Sequence, residues 1–185
     1  IKMYDDSPEW RLMFSVYQCL YQKHPVREDI AGSVESIAEI TPEMLYACTD
    51  AFYRPQNMAL AVAGNVTMAQ VLQAVERANI PEKEGNVERL PVCEPLQVAK
   101  PRMEFSMPVS KPLLGLGFKE VVPAPKEQLK TEFLCEMLTE LICGSMTPLY
   151  RKLYDENLVS PGFSGETLSV PGALCIMFGG ETGRP

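Results

Sequence analysis

Residues 24–66 read HPVREDIAGSVESIAEITPEMLYACTDAFYRPQNMALAVAGNV. Thr41-Pro42-Glu43 predicts a helix start: Thr41 caps, Pro42 suits the first turn, and Glu43 complements the positive end of the helix dipole. Met44, Leu45, Cys48 and Phe52 follow within that helix, and Pro55 stops it. Asn57 to Ala63 is then a short, nearly continuous apolar run ending at Gly64-Asn65. Its length and flanks suit a buried strand better than a helix. Working outward, Thr67 can cap a helix carrying Val71, Leu72, Val75 and Ala78 on one face. Upstream, Asp5 to Trp10 opens another helix, with Asp6 or Ser7 as cap and Pro8 in the first turn. Trp10, Met13, Phe14, Tyr17, Leu20 and Tyr21 recur at helical spacing, and His24-Pro25 ends the pattern. The order is helix, helix, strand, helix.

Beyond this point the composition shifts. From Pro81 to Pro101 there are four prolines, charged residues and no helical period, which predicts a linker over 81–101 between folding units 1–80 and 102–185. Arg102–Met107 alternates apolar and polar residues and Leu113–Phe118 follows it, so the two read as paired or neighbouring strands. Lys126 to Cys143 predicts a long helix with Leu129, Phe133, Met137, Leu138 and Leu141 on its buried face and Gly144 as terminator. Thr147-Pro148 starts a shorter helix through Tyr154. Gly165–Val170 and Ala173–Phe178 read as strands joined by a Pro171-Gly172 turn. The fold class expected is α+β: a mixed or antiparallel sheet with helices packed on one face, in two partial units.

The 185 residues carry a net charge of −7 with 46% apolar residues, ordinary for a globular protein and too apolar for disorder. The acidic balance offers no electrostatic footprint for nucleic acid or an anionic membrane, and no apolar run approaches membrane-spanning length. Six cysteines form no C-x-x-C pair and read as small buried hydrophobes in a reducing cytoplasm.

No phosphate loop, no G-x-S-x-G elbow and no H-E-x-x-H occurs. Gly115-Leu116-Gly117 reads as a strand with small residues rather than a dinucleotide fingerprint. His24 is the only histidine, which rules out a zinc site built from a His pair within the chain. It reads as a helix-ending surface or loop residue. Asp5/Asp6 and Glu82/Glu84 read as caps and solvated linker charges. From the residues alone this is an α+β chain with no visible active site.

Four short elements in residues 24–66 nevertheless occur in a distinctive order: His24-Pro25, then Gly32-Ser33-Val34-Glu35-Ser36-Ile37, then Ile40-Thr41-Pro42-Glu43-Met44-Leu45, then Phe52-Tyr53-Arg54-Pro55-Gln56-Asn57-Met58 running into Gly64-Asn65. The run resembles the segment that follows the metal-binding part of insulinase/pitrilysin-type zinc metallopeptidases, the inverted zincins. The opening Ile1 to Arg11 is similar to a bacterial, processing-protease-like branch of that family. Cys143 to Tyr154 resembles its G-x-S-S-x-L helix pair.

The resemblance implies two facing α+β units, with an H-x-x-E-H zinc helix in the first and substrate-binding groups in the second. It places the zinc helix, and a third ligand Glu, before Ile1. The chain is therefore expected to be an internal fragment of a zinc-dependent metallopeptidase, or of a non-catalytic homologue acting as partner subunit or scaffold. Zinc and peptide substrate belong to the parent; no catalytic or metal-ligating residue is assigned here. Many members carry an Arg followed by a Tyr that stabilises the substrate carbonyl. Tyr154 stands at the Arg position and Pro161 or Phe163 near the Tyr position, while Arg151 reads as a surface charge. The strand over 57–63 is expected to belong to a sheet whose other strands lie upstream, its open edge covered by a second copy in a homo-oligomer, by the other unit or by undefined residues.

Overall fold

A computed structural model describes residues 2–80, 85, 87–122 and 124–185. A short helix α1 (Lys2–Asp5) precedes α2 (Pro8–Leu20). Of the two candidate caps for α2, Ser7 takes the role, its Oγ accepting from the Trp10 N–H. A 3₁₀ turn (Pro25–Arg27), α3 (Val34–Ala38) and α4 (Pro42–Phe52) follow, the last capped by Thr41 accepting from the Met44 N–H. After a second 3₁₀ turn (Pro55–Asn57) comes α5 (Met68–Ala78), closed at its start by a reciprocal capping box of Thr67 and Gln70. Asn79 in the left-handed region ends it. Then come β1 (Leu113–Glu120), α6 (Pro125–Cys143), α7 (Pro148–Asp155) capped by Thr147, β2 (Ser164–Val170) and β3 (Ala173–Glu181).

The chain gathers into two compact units, Ile1–Ser33 with Pro91–Pro185, and Val34–Leu90. These divisions differ from those drawn at the proline-rich stretch, because α2 packs on the sheet of the second half. Of that stretch, Pro81–Glu84 and Asn86 lie outside the described residues.

In the larger unit β1, β3 and β2 form an antiparallel sheet in that order, with Gly117 opposite Met177 and Thr167 opposite Ile176. The α+β class is the expected one. The sequence reading put helices on one face; here α2 covers one and α6 the other. Strands β2 and β3 turn on Pro171-Gly172 as expected, with Gly172 at φ +89. On the α2 face, Val16, Tyr17, Leu20 and Tyr21 bury against Ala173, Cys175 and Met177. Gly115 and Gly117 on β1 lie directly under Leu12, Val16 and Leu20, so the missing side chains let helix and strand approach closely. The Gly-Leu-Gly run is thus a packing surface. On the other face Phe178 packs with Cys143 and Phe163.

Three expectations are corrected. Arg102–Met107 is not a strand: β1 pairs with β3 instead, and Phe105 lies under the Arg11 guanidinium. Pro101 and Pro108, which offer no backbone N–H, bracket the six residues and stop a ladder from extending at either end. Asn57–Ala63 is also not assigned as a strand, since its first residue closes a 3₁₀ turn and the rest has no ladder partner among the described residues. Finally, α6 is turned over. Leu129, Phe133, Met137, Leu138 and Leu141 are exposed, while Cys135, Thr139 and Cys143 are buried. A Cβ placed on Gly165 would meet the Thr139 Cβ at 2.8 Å. Small residues thus set this close helix–strand contact, and Gln128 donates to the Ser169 Oγ at 3.1 Å beside it. Cys135, Cys143 and Cys175 are buried as expected of small hydrophobes, but Cys48 and Cys93 are exposed.

Candidate functional site

The strongest concentration of polar chemistry lies where α2 ends. Its backbone breaks out of helix at Tyr21, leaving the N–H groups of Gln22, Lys23 and His24 without helical acceptors. The Glu94 carboxylate takes all three, each at 2.8 Å. Lys119, projecting from β1 on the α2 face, donates from Nζ to Glu94 at 3.0 Å. Its ammonium also reaches the carbonyls of Leu20, Pro95 and Gln97 at 2.7 to 2.9 Å. Both side chains are withdrawn from water, Lys119 3% exposed and Glu94 8%. Burial by itself would raise the Glu94 carboxyl. The donors from Gln22 and Lys23, the Lys119 ammonium and the His24 N–H outweigh it and hold the group down at about 2.

His24 sits beside this pair. Its Nδ1 accepts from the Val26 N–H at 3.1 Å, so the proton is on Nε2, which donates to the Pro171 carbonyl at 3.0 Å. The residue is a loop histidine as expected, but buried rather than at the surface. Both nitrogens are committed to backbone, which leaves neither a lone pair for a metal nor a free base. Replacing His24 with alanine should lower the stability of this unit by about 1–3 kcal/mol, seen as an earlier urea transition in Trp10 fluorescence, with metal content unchanged.

The remaining titratable core is chemically quiet. Burial, with Cys175 and Glu166 nearby, pushes Tyr17 up to about 12; burial likewise raises Tyr21 and lifts the Cys175 thiol to about 11. A thiol held protonated is no nucleophile.

The positions carried over from the resemblance are not brought together as a carbonyl-binding pair. Tyr154 is 41% exposed and stacks on Tyr150, whose hydroxyl donates to the Pro161 carbonyl at 3.1 Å. Phe163 is buried among apolar side chains and has no donor to offer. Arg151 lies at the surface near the Met146 sulfur at 3.7 Å. Among the described residues no group of three or more His, Cys, Asp or Glu is placed to hold a metal ion, and with His24 engaged on both sides these described residues do not fit a zinc centre. No described helix is long and apolar enough to cross a membrane.

Sequence reasoning missed the Glu94–Lys119 pair. Glu94 stands in a proline-rich stretch that reads as linker, and Lys119 lies just past the strand read over Leu113–Phe118. No local pattern signals that residues 25 positions apart share one buried site.

Comparison with known proteins adds the family. Residues 39–185 match the family described as the Peptidase M16 inactive domain. The chain is 37% identical over 191 aligned positions to the uncharacterized zinc protease YmfH of Bacillus subtilis, covering all of this chain and 44% of that one. A zinc protease of Mycobacterium leprae is 35% identical over 75 residues, 40% of this chain and 17% of its own length. Among solved structures, an M16-like peptidase from Alicyclobacillus acidocaldarius superimposes on 100% of this chain and 45% of its own, with TM-score 0.88 and 33% identity. A protease from Helicobacter pylori shares the fold at TM-score 0.71 and 20% identity, over 98% of this chain and 45% of its own. The chain spans less than half the length of these relatives.

Proposed function

The chain belongs to the M16 peptidase family, within the part described as its inactive domain, and from that premise we propose that it is a non-catalytic segment of a zinc-dependent peptidase. In this reading peptide-bond hydrolysis by metal-activated water belongs to the longer protein, and the zinc ligands come from outside these 185 residues. The observation that carries it is the inactive-domain match over 39–185. The engagement of both His24 nitrogens by backbone supports it. The contribution of this chain is structural: Glu94 and Lys119 fasten the end of α2 and the segment 94–97 to β1. The longer protein's substrates would be peptides, and the net charge of −7 on this chain gives no footprint for nucleic acid. A cytoplasmic setting agrees with six free cysteines.

A second reading makes the longer protein a non-catalytic homologue serving as partner or scaffold. Tyr154 at the Arg position, with Pro161 and Phe163 lacking side-chain donors, favours it.

Purified alone, the chain should carry no zinc by elemental analysis and cleave no member of a mixed peptide library. One zinc per chain together with cleavage would overturn the proposal. The complete gene product separates the two readings: chelator-sensitive cleavage supports the first, a folded and inactive product the second.

A further inference from the structure

The end of α2, the Pro25–Arg27 turn and the β2–β3 hairpin meet at the His24 ring. The residue is 7% exposed, and its ring centroid lies 5.8 Å from that of Tyr21. The ring edge rests on the hairpin turn, where a Cβ on Gly172 would stand 3.1 Å from Nε2. Nε2–H donates to the Pro171 carbonyl, and Nδ1 is the acceptor that holds the Val26 N–H. Behind Val26 the turn is closed by Arg27 N–H to the His24 carbonyl at 3.2 Å and Glu28 N–H to the Pro25 carbonyl at 2.9 Å. The charged groups at this corner are already engaged. Glu94 takes the His24 N–H along with those of Gln22 and Lys23, and pairs with Lys119 from β1. Arg27 is spent on the Gln22 carbonyl at 2.6 Å and on Glu28 at 3.3 Å, while Lys23 is exposed. Burial keeps the Tyr21 phenol and the Cys175 thiol on β3 protonated, and Pro171 and Gly172 bring no titratable group.

We propose that His24 is a proton-operated latch on the corner between α2 and the Pro25–Arg27 turn. In the neutral ring Nδ1 offers its lone pair to Val26. A second proton can land nowhere else on the imidazole, and it turns that acceptor into a donor facing a donor. The Val26 hydrogen bond and the imidazolium therefore exclude one another. Nε2–H serves Pro171 in both states, so the hairpin contact survives while the ring turns its Nδ1 edge away from Val26. What opens is the 3₁₀ turn, whose first N–H is then left without the side-chain acceptor that caps it. Acid thus loosens the exit from α2 without unpairing the sheet.

The test follows the isotope-labelled 185-residue chain by NMR from about pH 8 to about pH 5, the range in which histidine changes charge. His24 is the only histidine, so the imidazole nitrogen signals are its own. Glu94 keeps its charge throughout, its carboxyl lying at about 2. Amide exchange, read as protection factors, reports the turn. As the ring gains its second proton, Val26, Arg27 and Glu28 should lose protection by about 10-fold, with the same midpoint as the ring, while the β2–β3 ladder amides keep theirs. His24→Asn, whose Oδ1 accepts from Val26 and cannot titrate, should hold the turn at both ends of the range. His24→Gln, with a donor for Pro171 and no acceptor at the Nδ1 position, should leave the turn open at both. Unchanged turn protection around a doubly protonated ring would overturn the proposal, as would a ring still neutral at the acid end. An equal acid loss in His24→Asn would also overturn it, by assigning the effect to another group. Where a variant fails to fold, agreement or disagreement of the ring and turn midpoints in the wild type decides.

Discussion

Replacing Lys119 with methionine is expected to destabilise the larger unit by about 3–5 kcal/mol, because it strips the paired ammonium from a buried carboxylate. Methionine fills much of the same volume, so the loss is electrostatic rather than a cavity. The backbone carbonyls of Leu20 and Pro95 lose the Lys119 donor at the same stroke, while that of Gln97 keeps the Gln22 Nε2 donor at 3.0 Å. The N–H groups of Gln22, Lys23 and His24 still solvate Glu94, which places the effect toward the lower end of that range. Trp10 is the sole tryptophan and lies in this unit, its indole N–H donating to Asp29 at 2.7 Å. Its fluorescence in a urea titration therefore reports the unit directly. Methionine variants that unfold at the wild-type urea concentration would show that the ammonium contributes nothing net.

The same pair makes a pH prediction of defined sign. The Glu94 carboxyl titrates at about 2 when folded against an ordinary value of 4.5. A depressed folded value contributes stability that is complete above 4.5 and lost as pH falls toward 2. The difference corresponds to on the order of 3 kcal/mol. Wild-type protein should lose stability steeply through that window, and Glu94→Gln should start lower and flatten the slope.

Much of the fold is legible in the sequence where the signal is local. Ser7, Thr41, Thr67 and Thr147 each cap the helix that their side-chain chemistry predicts, and Pro171-Gly172 turns the hairpin it should. Legibility fails where tertiary contact overrides pattern. Helix α6 shows a broad apolar face, yet its inward side is the one with Cys135, Thr139 and Cys143, because a close approach to Gly165 needs small residues. The run 57–63 reads as a buried strand from its composition, and composition says nothing about whether partner strands are within reach. For the site, the commitment of His24 to backbone depends on Pro171, 147 residues away. The pairing of Glu94 with Lys119 likewise leaves no trace at short range.

Gly117→Val is the substitution expected to do most harm to the core. A Cβ at position 117 would stand 2.6 Å from Val16 Cγ1 and 2.9 Å from Leu20 Cδ1, inside van der Waals contact before any branching is added. Alanine there should cost about 1–3 kcal/mol by forcing α2 off the sheet or its side chains off their rotamers. Valine adds two methyl groups to a space already filled, and should separate α2 from Cys175 and Met177 and leave the unit without a cooperative urea transition. Gly162→Ala is the matched control: nothing lies within 4 Å of its Cβ, and stability should stay within about 0.5 kcal/mol of wild type. Pairing Gly117→Ala with Val16→Ala tests the cause. If close approach is what the glycine provides, the double variant should be more stable than the sum of the two single losses allows, a coupling of about 0.5–3 kcal/mol. Strict additivity would instead place the importance of Gly117 in the strand backbone and not in its contact with α2.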